Sequence, residues 1–368
     1  MPKEKPLKSQ YYKDYLGLNK ILDSQKLISD EYEQHAHDEM LFIIVHQVYE
    51  LWFKQIIYEL DSILDIFSKK DVVESNIGTS ISRLNRIIEI QKILVDQIRI
   101  LETMTPMDFL DFRDFLVPAS GFQSVQFRKI ENKLGLLSDN RFSYGGENYK
   151  SYLNKSDHEE VKNSEYQNTL FELIEKWLER TPFLNWGKTS FWKEYETAVN
   201  KMLSDDRAII ESNNKLSDNE KKKYLNEYKK TELSFGVVLD ESEHSKMVKN
   251  GTWRLSYKAT QAALLILLYR DQPILHNPYL LITKLADVDE LFTTWRHRHV
   301  LMVSRMIGKK IGTGGSTGST YLSKTAQKHR IFSDLSDLTT FLIPRSALPK
   351  LPSKIKDQLN FYFHVGKD

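Results

Sequence analysis

The residues able to do chemistry in this chain gather in three helical stretches. TTWRHRHVLMVSRMIGKKIGTGGSTG (293–318) carries two histidines two apart, then a run of glycines. On a helix from Phe292 to Ile311 the apolar stripe is Phe292, Trp295, Met302 and Met306. His299 falls on that stripe, four after Trp295 and three before Met302, while His297 lies about 200° round the helix. An inward imidazole is either a hydrogen-bonded core residue or a ligand facing a pocket, and periodicity alone leaves both open. His46 has the same character on the stripe Phe42, His46, Tyr49, Phe53. Arg113 shares a face with Phe109, Phe112 and Leu116. A guanidinium among aromatic rings either snorkels to water or meets an anion, because burying it alone is costly. Two inward histidines on separate helices and an inward arginine together predict an aromatic pocket for a flat ligand bearing a carboxylate.

The glycine run is not a phosphate cradle. Gly312-Thr313-Gly314-Gly315-Ser316-Thr317-Gly318 breaks the GxGxxG pattern at Thr317, has no following lysine, and leaves a helix rather than a strand. It reads either as a helix C-cap at Gly312 followed by a turn, or as backbone passing close to a ligand with the Thr313 hydroxyl beside it. HAHDE (35–39) has residue types that suit a two-histidine, one-carboxylate iron site. Its place at a helix start lets N-capping by Asp38 account for the acidic residue, and no metal is expected there.

Positioning these groups falls to helices. The chain has 368 residues, 40% hydrophobic and 28% charged, with only 15 Gly and 10 Pro. Long 3.6-residue periods and the lack of alternating strands predict an all-α protein. Helices are expected over 38–67, 80–104 and 105–116. The last has Thr105 as N-cap, Pro106 at the first position and Asp108 completing a capping box, with Pro118 ending it. A fourth runs from Ser120, with Gln123 three later, to Gly135. Others cover 164–181, 189–204, 252–270 and 284–311, and the Lys-, Glu- and Asn-rich stretch 205–232 reads as a solvated hairpin. The expected organisation is one domain, 1–368, with a charged helical hairpin inserted at 190–235 and an N-terminal segment, 1–20, reaching outward.

Composition narrows the function. Net charge is +2, from 52 basic and 50 acidic residues, which gives no electrostatic reason for a nucleic acid or membrane partner. There is no cysteine, so thiolate nucleophiles, Cys-bound zinc, iron–sulfur clusters and thiolate-ligated haem are excluded. MPKEKPLKSQYY is basic without an apolar run behind it and ALLILLY (263–269) is too short to span a bilayer, so a cytoplasmic location is expected.

Four segments resemble the tryptophan 2,3-dioxygenase family: HDEMLFIIVHQVYELWFKQIIYELDS, FRDFLVPASGFQSVQFRKIENKLG, WRHRHVLMVSRMIGKKIGTGGSTG and FLIPRSALPK. The likeness spans roughly residues 11–350. It implies a haem b in each subunit and insertion of both atoms of O₂ across the indole C2–C3 bond of L-tryptophan, giving N-formylkynurenine at the entry to tryptophan breakdown. By position it implies His299 as the axial iron ligand, with Trp295 as its neighbour one turn away. His46 is implied as the distal residue meeting the indole N–H. Phe42, Ile43, Ile44, Val45 and Phe109 are implied as pocket wall, Arg113 as the carboxylate partner, and Thr313 as the group near the ammonium. Tyr12 and Tyr15 are implied to reach a neighbouring subunit's pocket in a homotetramer. The chain departs from the family pattern at Lys13, Ser304, Ser319 and Thr320. A haem indole oxygenase of altered substrate, a haem sensor without turnover and a haem-free helical scaffold remain as alternatives to the dioxygenase.

Overall fold

The computed structural model describes residues 9–136, 141, 153–165, 167–182, 185–186, 189–308, 310, 323, 325 and 328–360. Short helices α1 (Tyr12–Leu16), α2 (Leu18–Leu22) and α3 (Ile28–Glu31) lead into α4 (His37–Phe67) and α5 (Glu74–Leu101). Then come α6 (Pro106–Arg113), α7 (Val125–Leu134), α8 (Lys155–Glu165), α9 (Leu170–Glu179), α10 (Phe191–Ser212) and α11 (Asp218–Ser234). After α12 (Gly236–Leu239) and α13 (Glu241–Lys249), the chain forms α14 (Tyr257–Leu268) and the longest helix, α15 (Pro273–Ile307). Among the described residues the only strands are the two-residue antiparallel pair Asn185–Trp186 and Thr189–Ser190. The fold is all-α.

Three long helices make the frame, with α15 and α4 both packed along α5. On α4 the buried apolar residues Val45, Tyr49, Phe53, Ile56, Leu60 and Ile63 recur every three or four positions, the spacing that puts side chains on one helix face. Leu84, Ile87, Leu94 and Ile98 of α5 face them, and Leu281, Leu285, Val288 and Phe292 of α15 complete the core. Helix α14 is buried from Ala262 through Leu268, as a helix apolar all round must be. By length and apolarity α4 would pass as a membrane span, but its apolar stripe is used in this core. Side chains tie the frame across helices. Tyr49 donates to the Leu94 carbonyl, Gln97 to Val45, and Gln91 to Val288.

Several helix ends differ from the sequence expectation. Asp38 does not cap α4, whose N-cap is Ala36 with no side-chain bond. Its neighbour Glu39 instead accepts the N–H groups of Ile28 and Ser29, at 2.9 and 3.0 Å, satisfying the start of α3. Helix α5 begins at Glu74, earlier than 80, and α9 begins at Leu170 behind a Thr169–Glu172 capping box rather than at 164. Helix α15 starts at Pro273 and stops at Ile307 before Gly308, whose φ of 58° suits only glycine well, so Gly312 is not its C-cap. The capping boxes of Thr105 and Ser120 both form, the second on a short 3₁₀ turn, with Ser124 then capping α7. In the hairpin, α10 buries Phe191, Tyr195, Val199 and Leu203 while α11 has no buried residue.

Candidate functional site

Helices α4, α5, α6, α7 and α15 enclose a cavity of about 290 Å³, at the small end of the roughly 300–1,000 Å³ of ligand pockets. Phe42, His46, Tyr49, Glu50 and Phe53 line it from α4 because they share one face. Phe42 centres an aromatic wall, its ring 5.9 Å from Phe109 and 5.6 Å from Phe112, with His46 at 4.1 Å. The His46 Nδ1 lies 2.7 Å from the Phe42 carbonyl oxygen. A carbonyl only accepts, so Nδ1 carries the proton and Nε2 is the ring's acceptor. Much of the His46 surface is accessible, yet burial dominates its titration and lowers its pKa, because that surface faces the cavity.

His299 faces the cavity from α15, with Trp295, Met302 and Met306 on the same stripe. Desolvation, reinforced by repulsion from His46, pushes its pKa down to about 4, so it stands as a neutral imidazole at neutral pH. Trp295 packs on it with ring centroids 5.3 Å apart and meets Tyr49 edge-on at 6.2 Å. His297 is exposed, as the helical period predicts. Arg113 closes another part of the wall, its side chain 18% exposed and 3.3 Å from the Asp114 carboxylate.

The remaining wall is polar. Glu50 accepts from the Ser124 hydroxyl at 2.6 Å and the Gln126 amide at 2.8 Å, tying α4 to the start of α7. Glu131 is buried and receives Arg128 at 2.9 Å, Arg141 at 2.5 Å and Arg296 at 3.0 Å, with the His329 ring 3.7 Å away. Burial alone would raise the Glu131 pKa; the three guanidiniums and the His329 hydrogen bond outweigh it and hold the carboxyl well below its usual range. Burial also lowers the His329 pKa.

The structure thus brings Phe42, His46, Phe109, Arg113, Trp295 and His299 to one cavity. Ile43, Ile44 and Val45, expected in its wall, do not line it. They follow Phe42 at 100° steps and turn away, Val45 into the α4–α5 core and Ile44 outward at 43% exposure. Tyr12 and Tyr15 do not line it within this chain and are 75% and 74% exposed. Thr313 and the glycine run lie outside the described residues. Sequence reasoning missed Glu50 and the Glu131 cluster. The spacing of Arg128 and Glu131, three apart on α7, was the available signal, but their partner Arg296 is 165 positions distant.

Among the described residues no group of three or more His, Cys, Asp or Glu side chains could hold a bare metal ion. A flat cofactor that brings its own metal needs only one axial imidazole. A neutral, half-buried His299 at the wall of an aromatic cavity fits that need.

Residues 2–342 match the family model described as tryptophan 2,3-dioxygenase. A tryptophan 2,3-dioxygenase of Bdellovibrio bacteriovorus is 52% identical over 353 residues, covering 96% of this chain and 98% of that protein. The Dictyostelium discoideum enzyme of the same name is 48% identical, covering 97% and 90%. That of Anopheles gambiae is 44% identical, covering 95% and 89%.

Three cavity imidazoles whose pKa values are lowered by burial make the protein acid-sensitive. Unfolded, each binds its proton near the ordinary histidine value of 6.5; folded, His299 does so only near 4 and His46 and His329 also below 6.5. The unfolded chain therefore holds more protons in that interval, and stability, complete above 6.5, falls as pH drops toward 4. Urea unfolding of the cofactor-free chain between pH 7 and 4 should show this loss, and His299→Leu should reduce it; an unchanged slope in the variant would remove His299 from the account.

Proposed function

The chain belongs to the tryptophan 2,3-dioxygenase family, and from that premise we propose that its cavity holds haem b on His299 with the substrate between His46 and Arg113. The chain is a dioxygenase that oxidises tryptophan, inserting O₂ across the indole C2–C3 bond to give N-formylkynurenine. Its family is haem-dependent. The observation that carries the residue assignment is the convergence of two neutral histidines, a guanidinium and an aromatic wall on one cavity.

Each residue is given the role that its geometry supports. His299 offers an unprotonated nitrogen to the iron, which a lowered pKa keeps available at neutral pH. Haem, when bound, supplies the iron that activates O₂. Phe42 and Phe109 pack against the indole and help exclude water from it. The His46 Nε2 accepts the indole N–H, since Nδ1 is engaged with the Phe42 carbonyl. Burial makes that ring a weak base, so it orients the indole as a hydrogen-bond acceptor. Arg113 meets the substrate carboxylate through charge-assisted bonds. Thr313 is assigned to the substrate ammonium by the family pattern alone.

The side chains that the chain leaves exposed support a reading of its assembly. Tyr11, Tyr12 and Tyr15 in and before α1 expose most of their surface, and Ile44, Leu51 and Tyr58 form a seven-residue-spaced apolar line on α4. Such rings favour burial against a partner. A homotetramer in which Tyr12 and Tyr15 complete the neighbour's cavity accounts for them, and the charged hairpin of α10 and α11 then projects as an insertion. A cytoplasmic enzyme is consistent with the absence of cysteine and with the use of α4 in the core.

The two histidines should behave differently. His299→Ala should abolish or weaken the Soret absorbance of purified protein, whereas His46→Ala should keep haem and lose tryptophan affinity or turnover. The opposite pattern would reverse their roles. For Arg113→Ala, loss of a charge-assisted bond of about 1.5–3 kcal/mol should lower kcat/KM for tryptophan roughly tenfold to a hundredfold. The loss should shrink for binding of indole analogues that lack a carboxylate; an equal loss would make Arg113 structural. Removing residues 1–16 should leave haem bound and lower tryptophan affinity. Mixed assembly of that truncated chain with full-length Arg113→Ala chain should recover activity, and normal turnover by the truncated chain alone would exclude a cavity completed in trans.

A further inference from the structure

The end of α6 is held differently from its body. Phe109 and Phe112 pack on Phe42 of α4, with ring centroids 5.9 and 5.6 Å away. Arg113 is the last residue of that helix, and a 3₁₀ turn, Asp114–Leu116, follows it at the surface. The Asp114 side chain is 86% exposed and Val117 is 58% exposed, so much of this turn meets water. Phe115 stands two residues after Arg113, roughly 200–240° round the helix axis, and so projects away from the guanidinium. Its ring stacks on Tyr32, with centroids 5.0 Å apart and planes 7° from parallel. Stacked rings attract beyond the apolar area they bury.

Tyr32 sits on an anchored element. It follows α3, a helix of four residues, too short to be stable alone. Glu39 of α4, 1% exposed, accepts the Ile28 N–H on one carboxylate oxygen and the Ser29 N–H on the other. The Ser29 hydroxyl accepts in turn from the Ala36 N–H at 3.1 Å, just before α4 begins. A buried carboxylate is costly unless its bonds are made, and both oxygens of this one are engaged in fixing α3. Tyr32 keeps 61% of its surface exposed, so what its ring contributes is the contact with Phe115 rather than a place in the core. We propose that Tyr32 is a positioning residue for the amino-acid carboxylate, holding the turn at which Arg113 enters the cavity; this rests on Arg113 being the carboxylate partner. The ring does not touch the substrate. It ties the exposed end of α6 to an element pinned on α4, so that Arg113 is oriented before the substrate arrives and less freedom is lost on binding.

Full-length, haem-loaded protein tests this with two ligands, L-tryptophan and tryptamine, which keeps the indole and the amine and lacks the carboxylate. Dissociation constants are read from the change each ligand makes in the Soret band, and KM and kcat for tryptophan are measured beside them. Tyr32→Ala should weaken tryptophan binding and raise its KM roughly twofold to tenfold, the range of one aromatic stack. Tryptamine binding and kcat should stay near the wild-type values. Tyr32→Phe keeps the ring and should restore tryptophan affinity. An unchanged tryptophan affinity in Tyr32→Ala overturns the proposal, as does an equal loss for tryptamine or a Tyr32→Phe protein as weak as Tyr32→Ala. Arg113→Ala is measured in parallel. If it weakens both ligands equally, the carboxylate reading of Arg113 fails and the role of Tyr32 fails with it. If Arg113→Ala weakens tryptophan selectively and Tyr32→Ala does not, only the role of Tyr32 falls.

Discussion

A helical core that keeps a cavity must stop its own side chains from closing it, and here the buried Glu131 cluster does so. One carboxylate collects Arg128 from its own helix, Arg296 from α15 and Arg141 from the segment beyond α7, while Arg296 also donates to the His329 carbonyl near the C-terminal end. Four parts of the chain are thereby set at fixed spacing around one group. Buried ion pairs of this kind add little net stability compared with apolar packing, yet removing one partner costs about 3–5 kcal/mol. Such a cluster is a poor way to gain stability and an effective way to fix geometry. Its placement on the cavity wall puts that rigidity where a ligand needs it.

The rest of the site inherits this order. With α7 and α15 held, Phe127 packs between Phe53, Phe292 and Trp295, and Trp295 in turn bears on the His299 ring. The ring nitrogen a metal would use is thus oriented by a chain of aromatic contacts that begins beside the ion cluster. On the opposite wall, Glu50 clamps α4 to the turn that starts α7 through Ser124 and Gln126. Hydrogen bonds from Tyr49 to Leu94 and from Gln97 to Val45 fix the same helix against α5.

How much of this the sequence carries depends on the range of the interaction. Local chemistry is legible: the Thr105–Asp108 and Ser120–Gln123 boxes form where their spacing places them. The period that turned His299 inward and His297 outward also holds, because side-chain direction on a helix depends only on angle. Angle likewise explains why Ile43, Ile44 and Val45 leave the cavity while Phe42 and His46 stay. Helix ends are less legible. Asp38 suits an N-cap by type, but tertiary contacts begin α4 at His37 and recruit Glu39 to a different helix. Gly308 and Gly312 are equally good stops by residue type, and the helix ends at the first of them. The Glu131 cluster is illegible from one sequence because its members meet only after α7, α15 and the C-terminal segment have come together.

The state of the two cavity histidines is a consequence of that assembled environment. Both imidazoles titrate near 6.5 in water, and burial disfavours the charged form of each. Placing them on facing helices adds mutual repulsion, so neither gains by protonation of the other. Each then keeps a lone pair at neutral pH, but the two lone pairs are put to different use. On His46 the Phe42 carbonyl accepts a hydrogen bond from Nδ1–H and so leaves Nε2 as an acceptor, suited to an N–H group of an aromatic heterocycle. His299 has a basicity lowered by desolvation and the aromatic support of Trp295, suited to a metal that then competes with no proton. A carboxylate close to either ring would have raised its pKa and favoured imidazolium. The nearest such group to His46, Glu50, is instead drawn into hydrogen bonds with Ser124 and Gln126, so its effect on His46 is outweighed by desolvation. Keeping the acidic groups of the wall occupied with donors is therefore what leaves two neutral histidines facing each other across one cavity.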